Sequence, residues 1–251
     1  MRAITPILFA LLLPGVALAS SPWEQRLEQT LLDGATAHPE WQDLRDAQPR
    51  ATRAGFLRFT SDAMNAPEAA PVVLERLAHG GESVEVRAAL AEVLTRHGAG
   101  WGDAVVELLA EEPSALVRSV LVDGLRVVAP EHAEAGFTLA VVDPYPEVRA
   151  AAARTIARRA DGAAHAALLT ASLADVDADV REAAARSLGA LGVAEAAPAL
   201  ERSLLDATPK VRLAALAALQ RVSVDSARRV APQLLDDSDH RVARRARKLV
   251  E

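Results

Sequence analysis

The sequence predicts an all-α chain: a solenoid of six stacked helix pairs. Three observations carry that expectation. The first is a repeat. Val86-Arg87, Val117-Arg118, Val148-Arg149, Val180-Arg181 and Val211-Arg212 recur with arginine steps of 31, 31, 32 and 31 residues, and one more step reaches Val242-Ala243. A period of that size belongs to arrays of small supersecondary units that bury their apolar faces only by stacking. The second is phase. Four residues after each valine stand Leu90, Leu121, Ala152, Ala184, Ala215 and Ala246; eight after it stand Leu94, Leu125, Ile156, Leu188, Leu219 and Val250. That spacing lines one face of a helix, here called helix B. The third is composition. The chain is 51% hydrophobic but only 3% aromatic, which suits close Ala/Leu/Val helix interfaces better than a sheet.

Residues 1–19 read as a signal peptide. Arg2 is followed by the apolar run Ile7 to Leu13 and then by Ala17-Leu18-Ala19, a small-x-small cleavage site. The apolar run is too short to span a bilayer. Cleavage is expected before Ser20, and no cysteine follows to take a lipid anchor, so no stable membrane anchor is expected after signal removal. Residues 20–65 fall outside the period and read as a helical N-terminal cap. Trp23 to Leu32, Trp41 to Asp46 and Arg50 to Asn65 are its expected helices, with Trp23, Leu27, Leu31, Phe56 and Phe59 supplying apolar surface to close the open end of the stack. Residues 66–251 form the repeat array.

Within each repeat the start and stop signals agree with the period. Three residues before the valine come Ser83, Ser114, Tyr145, Asp177, Thr208 and Asp239, and all but the tyrosine are good N-caps. Pro146 and Pro209 occupy the first helical position, where a missing N–H is harmless. Gly98 and Gly192 mark where helix B stops. Upstream lies a second apolar helix, helix A. Ala110, Val141, Leu173, Leu204 and Leu235 sit seven residues before the valine, with Leu77 offset by the Gly80-Gly81 pair.

The run D-x-D-x-x-V-R-x-x-A, fullest at Asp175 to Ala184 and partial at Asp143 to Ala152 and Asp206 to Ala215, resembles the HEAT repeat. The form is the short HEAT-like one also found in phycobilisome lyases. The resemblance covers about residues 66–251 and implies a right-handed, armadillo-like α-solenoid. It also implies a ladder between repeats that joins Asp143, Asp175 and Asp206 with Arg149, Arg181 and Arg212. Gly81 and Glu112 depart from the aspartate position and Ala243 from the arginine position, which puts both ends of the ladder in question. Arg181 is expected to lie buried along its stem and to bond Asp175 or its neighbour Asp143.

No catalytic constellation emerges. The histidines, His38, His79, His97, His132, His165 and His240, are scattered, and only Glu131-His132 makes a His-Glu pair. HEAT-like enzymes such as deoxyhypusine hydroxylase hold iron with several such pairs, so a di-iron centre is not expected. The acidic clusters Asp175/Asp177/Asp179 and Asp237/Asp239 read as ladder, N-cap and helix-start residues rather than as a calcium loop. There is no phosphate loop or nucleophile elbow, and no cysteine anywhere in the chain. No cofactor and no metal are expected. The net charge of −6 becomes −7 once Arg2 leaves with the signal, which argues against nucleic-acid binding.

The feature that rises above the repeat is its charge. Outward positions of helix B hold Arg154, Arg186 and Lys248 six residues past the valine, and Arg158 and Arg221 ten past it; Arg241, Arg244, Arg245 and Arg247 extend the run. These five, Arg154, Arg158, Arg186, Arg221 and Lys248, are the expected partner-binding residues, forming one strip for an acidic or extended protein partner. The sequence thus reads as a non-enzymatic protein-binding scaffold in a bacterial periplasm or outside the cell. An accessory or lyase-type subunit and a module for anionic surfaces remain open alternatives.

Overall fold

A computed structural model describes residues 69–79 and 82–251; the expected signal peptide, N-terminal cap and Gly80-Gly81 turn lie outside the described residues. Among those described there are twelve α-helices and no strand. They form six consecutive pairs. Helix A of each pair is α1 (Ala69–His79), α3 (Gly102–Glu111), α5 (Pro130–Ala140), α7 (Ala166–Ser172), α9 (Ala197–Ser203) or α11 (Val224–Val230). Helix B is α2 (Val84–His97), α4 (Ala115–Gly124), α6 (Pro146–Ile156), α8 (Ala178–Leu191), α10 (Pro209–Val222) or α12 (His240–Val250). Each helix B packs on the helix B of the next repeat, and each pair packs within itself, so the chain is an α-solenoid. No helix among the described residues is long and apolar enough to cross a membrane.

The core follows the period. Val117, Val148, Val180, Val211 and Val242 are fully buried, as are Ala152, Ala184, Ala215 and Ala246 four residues on. Alanine dominates here because neighbouring B helices run side by side and only small side chains fit between them. Two expected core residues lie outside it. Val250 is 52% exposed, being the last residue of the last described helix. Ala110 is exposed and Leu109 takes its place in the core. The cause is local: α3 keeps α-helical geometry to Glu111, whereas α5, α7 and α9 already end at the equivalent position, with C-caps at Val141, Leu173 and Leu204.

Helix B starts where expected, but its caps are of two kinds. Asp177 and Asp239 accept bonds from N–H groups of the first turn, and Ser83 Oγ accepts weakly from Val86. Ser114, Tyr145 and Thr208 make no side-chain cap; there the N-cap N–H itself donates to the carboxylate two residues earlier, at 2.8 Å in each case. Gly192 closes α8 in the left-handed region at φ 68°, and Gly98 opens a single 3₁₀ turn.

That carboxylate is one half of the ladder. Five rungs run through the array: Arg87–Glu112, Arg118–Asp143, Arg149–Asp175, Arg181–Asp206 and Arg212–Asp237. Each is bidentate, with Nε and Nη2 on the two oxygens; for Arg181 the distances are 2.7 and 3.0 Å. Nη1 turns back to its own repeat and donates to turn carbonyls, in Arg181 those of Asp175 (2.8 Å) and Val176 (3.0 Å). Every guanidinium therefore bonds two successive turns. The side-chain partner of Arg181 is the aspartate of the following repeat, Asp206, and neither Asp175 nor Asp143. Asp175 Oδ1 is already engaged by the Asp177 N–H, and both Asp175 oxygens face Arg149 of the preceding repeat. The N-terminal departure is harmless, since Glu112 reaches Arg87 at 3.1 and 3.0 Å. At the other end the ladder stops at Asp237, because Ala243 replaces the arginine. The remaining polar contacts are equally specific: Tyr145 lies over the Arg118 guanidinium, and Arg159 bridges Asp161 to the carbonyl of Val128.

Candidate functional site

With the turn edge fixed by the ladder, the outward residues of the B helices decide what the array can bind. Two adjoining grooves lie on that face. One spans α8, α10 and α12, with a volume of about 560 Å³. Its floor is small and apolar, built from Gly189, Ala190, Ala214, Ala217 and Ala218. Gly189 is required there: a Cβ on it would stand 2.6 Å from Ala218 Cα, so α8 and α10 touch backbone to backbone. The walls carry Arg186, Arg221, Arg241, Arg244, Arg245 and Lys248, and no acid.

These cations are not equally engaged. Arg186 pairs with Glu182 one turn away (2.7 Å) and Arg241 with its own N-cap Asp239 (2.9 Å). Arg221, Arg244 and Lys248 are exposed and pair with no acid among the described residues. Arg245 is half-buried; its Nη2 donates to Gln220 Oε1 at 2.8 Å, while its buried Nε has no hydrogen-bond partner. Burial, and then the neighbouring charge of Arg221, push the Arg245 guanidinium below its ordinary value. Like charges thus crowd beside a buried donor that has no partner among the described residues.

The second groove, about 540 Å³, spans α6 and α8. Arg154 and Arg186 line it, but so do Glu147, Asp177, Asp179 and Glu182. The five expected partner-binding residues are thus placed differently. Arg186, Arg221 and Lys248 meet in the basic groove. Arg154 faces the acidic one. Arg158 lies in neither, paired with Asp123 and accepted by Thr155 Oγ1 at 3.1 Å. The single strip is divided at Arg186, which lines both grooves.

The repeat geometry agrees with the comparison against protein families, in which residues 135–220 match the model for HEAT repeats. Over those residues the chain is similar to HEAT repeats. A solved structure of human deoxyhypusine hydroxylase in complex with glycerol aligns over 88% of this chain and 96% of that one, at 16% identity and a TM-score of 0.43. A comparison with curated proteins returned no match.

In the HEAT-like repeats, sequence reading at six and ten residues past the valine finds Arg186, Arg221 and Lys248 but misses what gives each groove its sign. The signal lies at two other positions. One residue before the valine the series reads Glu85, Leu116, Glu147, Asp179, Lys210, Arg241; two residues after it, Ala88, Ser119, Ala150, Glu182, Leu213, Arg244. The first series changes from acid to base between α8 and α10, where Asp179 and Lys210 pair across the boundary, and the second passes from acid on α8 through Leu213 to base on α12.

Among the described residues the histidines do not converge. His132 pairs with Asp103 (2.9 Å) rather than with Glu131, its ring packed over Gly102, and buried His165 meets Glu134 (2.6 Å). Among the described residues no group of three or more His, Cys, Asp or Glu side chains comes together as a metal site. The two acidic clusters have the expected structural uses. Asp175 and Asp237 are rungs, Asp177 and Asp239 are N-caps, and Asp179 pairs with Lys210.

Proposed function

We propose that the protein is a non-catalytic HEAT-repeat scaffold, exported by the signal peptide of residues 1–19, that holds a protein partner by an acidic segment laid into the basic groove. The observation that carries this reading is the set Arg221, Arg244, Arg245 and Lys248, which face one groove with no acid on its walls. A small apolar floor under a charged rim suits a peptide, whose backbone and side chains can rest on the alanines while its carboxylates reach the guanidinium groups. Export is supported by the order Arg2, Ile7 to Leu13, Ala17-Leu18-Ala19. The acidic residues of the α6–α8 groove and the net charge of −6 weigh against a long polyanion such as nucleic acid, which would be repelled beyond Arg186.

The exposed cations of α12 give some support to a second reading, attachment to an anionic surface, and one experiment separates the two. A fluorescent ten-residue Glu-rich peptide is titrated in parallel with vesicles containing anionic lipid. The peptide is expected to bind and to weaken as salt is raised. Replacing Arg221, Arg244 and Lys248 together by Glu is expected to abolish peptide binding with helicity and melting unchanged. Binding of vesicles but not peptide would replace this reading with the surface one.

A further inference from the structure

The two grooves are continuous through Arg186 and opposite in character, and we infer that they form one bipartite site. The ligand is an extended peptide segment with an acidic block over α8–α12 and a basic block over α6–α8. The inference rests on the proposed function and adds its second half.

The acidic groove has its own claim on a ligand. Glu147 is exposed and pairs with no cation among the described residues. Asp179 is 72% exposed on its side chain and shares only Lys210, at the far edge. Asp177 spends its oxygen on the N–H groups of α8, and Glu182 spends its on Arg186. Four carboxylates therefore surround one unpaired cation, Arg154, across a groove nearly as large as the basic one. A cationic side chain entering there meets Glu147 and Asp179 directly.

Spacing sets the register. Neighbouring packed helices lie roughly 8–10 Å apart, and an extended chain advances about 3.3 Å per residue. One helix step therefore takes about three residues. An acidic block of about five residues covers α8 to α12, and a basic block of about three follows over α6 to α8, with Arg186 under the junction. A scrambled segment of the same composition would set carboxylates against Glu147 and cations against Arg221 and Arg244. Like charges in contact make that placement unfavourable, so the surface selects for charge order as well as for net charge.

The test uses the mature chain and four synthetic peptides: an acidic block alone, the acidic block joined to a lysine block in each of the two chain directions, and a scramble of the joined peptide. At about physiological salt the better of the joined peptides is expected to bind at least about tenfold more tightly than the scramble or the acidic block alone. Glu147→Lys is expected to bring the joined peptide down to the level of the acidic block and leave the acidic block's own affinity unchanged. Glu131→Lys, on helix A of repeat 3, serves as the control and should change the affinity of neither peptide. Equal affinity for the joined peptide and the acidic block would overturn the bipartite site and leave the basic groove standing. Failure of every peptide to bind would overturn the basic groove as well.

Discussion

Replacing Arg181 by alanine isolates the worth of one rung of the ladder. The side chain makes a bidentate pair with Asp206 and donates to two turn carbonyls, and only 16% of it and 11% of its partner's side chain meet solvent. Its loss leaves the half-buried Asp206 with only Thr208, through its N–H and its side chain, to hold its charge. Breaking one partner of a buried pair costs on the order of 3 kcal/mol, mostly because the other is stranded. For a chain of this size, about 2–4 °C per kcal/mol puts the drop in melting temperature at roughly 6–12 °C. Arg186→Ala is the internal comparison. That side chain is 68% exposed and pairs within its own helix, an arrangement worth about 0.3–0.5 kcal/mol. Thermal unfolding followed by circular dichroism reads both. A double-mutant cycle with Asp206→Ala should show the two losses to be less than additive, since removing both charges strands neither. Equal melting for Arg181→Ala and Arg186→Ala would refute the ladder as a source of stability.

Other perturbations follow from the same geometry. The carboxyls of Asp175, Asp206 and Asp237 are held below the usual carboxylate range, chiefly by the hydrogen bonds of Arg149, Arg181 and Arg212. As pH falls below about 4 the unfolded chain therefore takes up protons first. Their stabilisation is complete at neutral pH and is lost as acidity passes the folded values, so an acid titration by circular dichroism should be flat above about pH 5, and Asp206→Asn should flatten its lower limb. Gly189→Ala forces a Cβ against the Ala218 backbone and should cost about 1–3 kcal/mol in melting experiments, because α8 and α10 must separate. N-terminal sequencing of protein from the cell envelope should begin at Ser20; an intact Met1 on that protein would remove the export proposal.

How much of this was legible depended on whether a feature is periodic. The six helix pairs and the buried valine and alanine faces recur with the chain and could be read directly. The direction of the ladder could not. Arg181 lies six residues from Asp175 and 25 from Asp206, and the period fixes both separations without saying which oxygens are free. Only the three-dimensional turn shows that Asp175 faces backwards to Arg149. Ala110 was misplaced for a similar reason: one helix that runs two residues longer rotates its last turn, and no repeat average contains that exception. At the site, the sequence pointed to Arg186, Arg221 and Lys248 but joined them to Arg154 in one strip. The cut between them comes from Glu147, Asp179 and Glu182, which stand at other positions of the repeat and reach the same groove from a neighbouring helix.

The ladder and the grooves divide one set of helices between two tasks. The arginine following each repeat valine is consumed by the ladder, with its three donor nitrogens directed at two turns, so it sets the spacing of the B helices and offers no charge to a ligand. Residues one before, two after and six after that valine touch no ladder element and are free to vary in sign without disturbing the stack. This separation lets a stiff scaffold carry an arbitrary charge order along its face, acid at Glu147 and Asp179 and base at Arg241 and Arg244, at a pitch the ladder holds fixed. Specificity for a partner would then reside in that order, and the rungs would act on binding only through the spacing they maintain. Loss of the Arg181 rung, on the helix α8 that both grooves share, should accordingly weaken a joined acidic-basic segment more than a purely acidic one, even at temperatures where the chain remains folded.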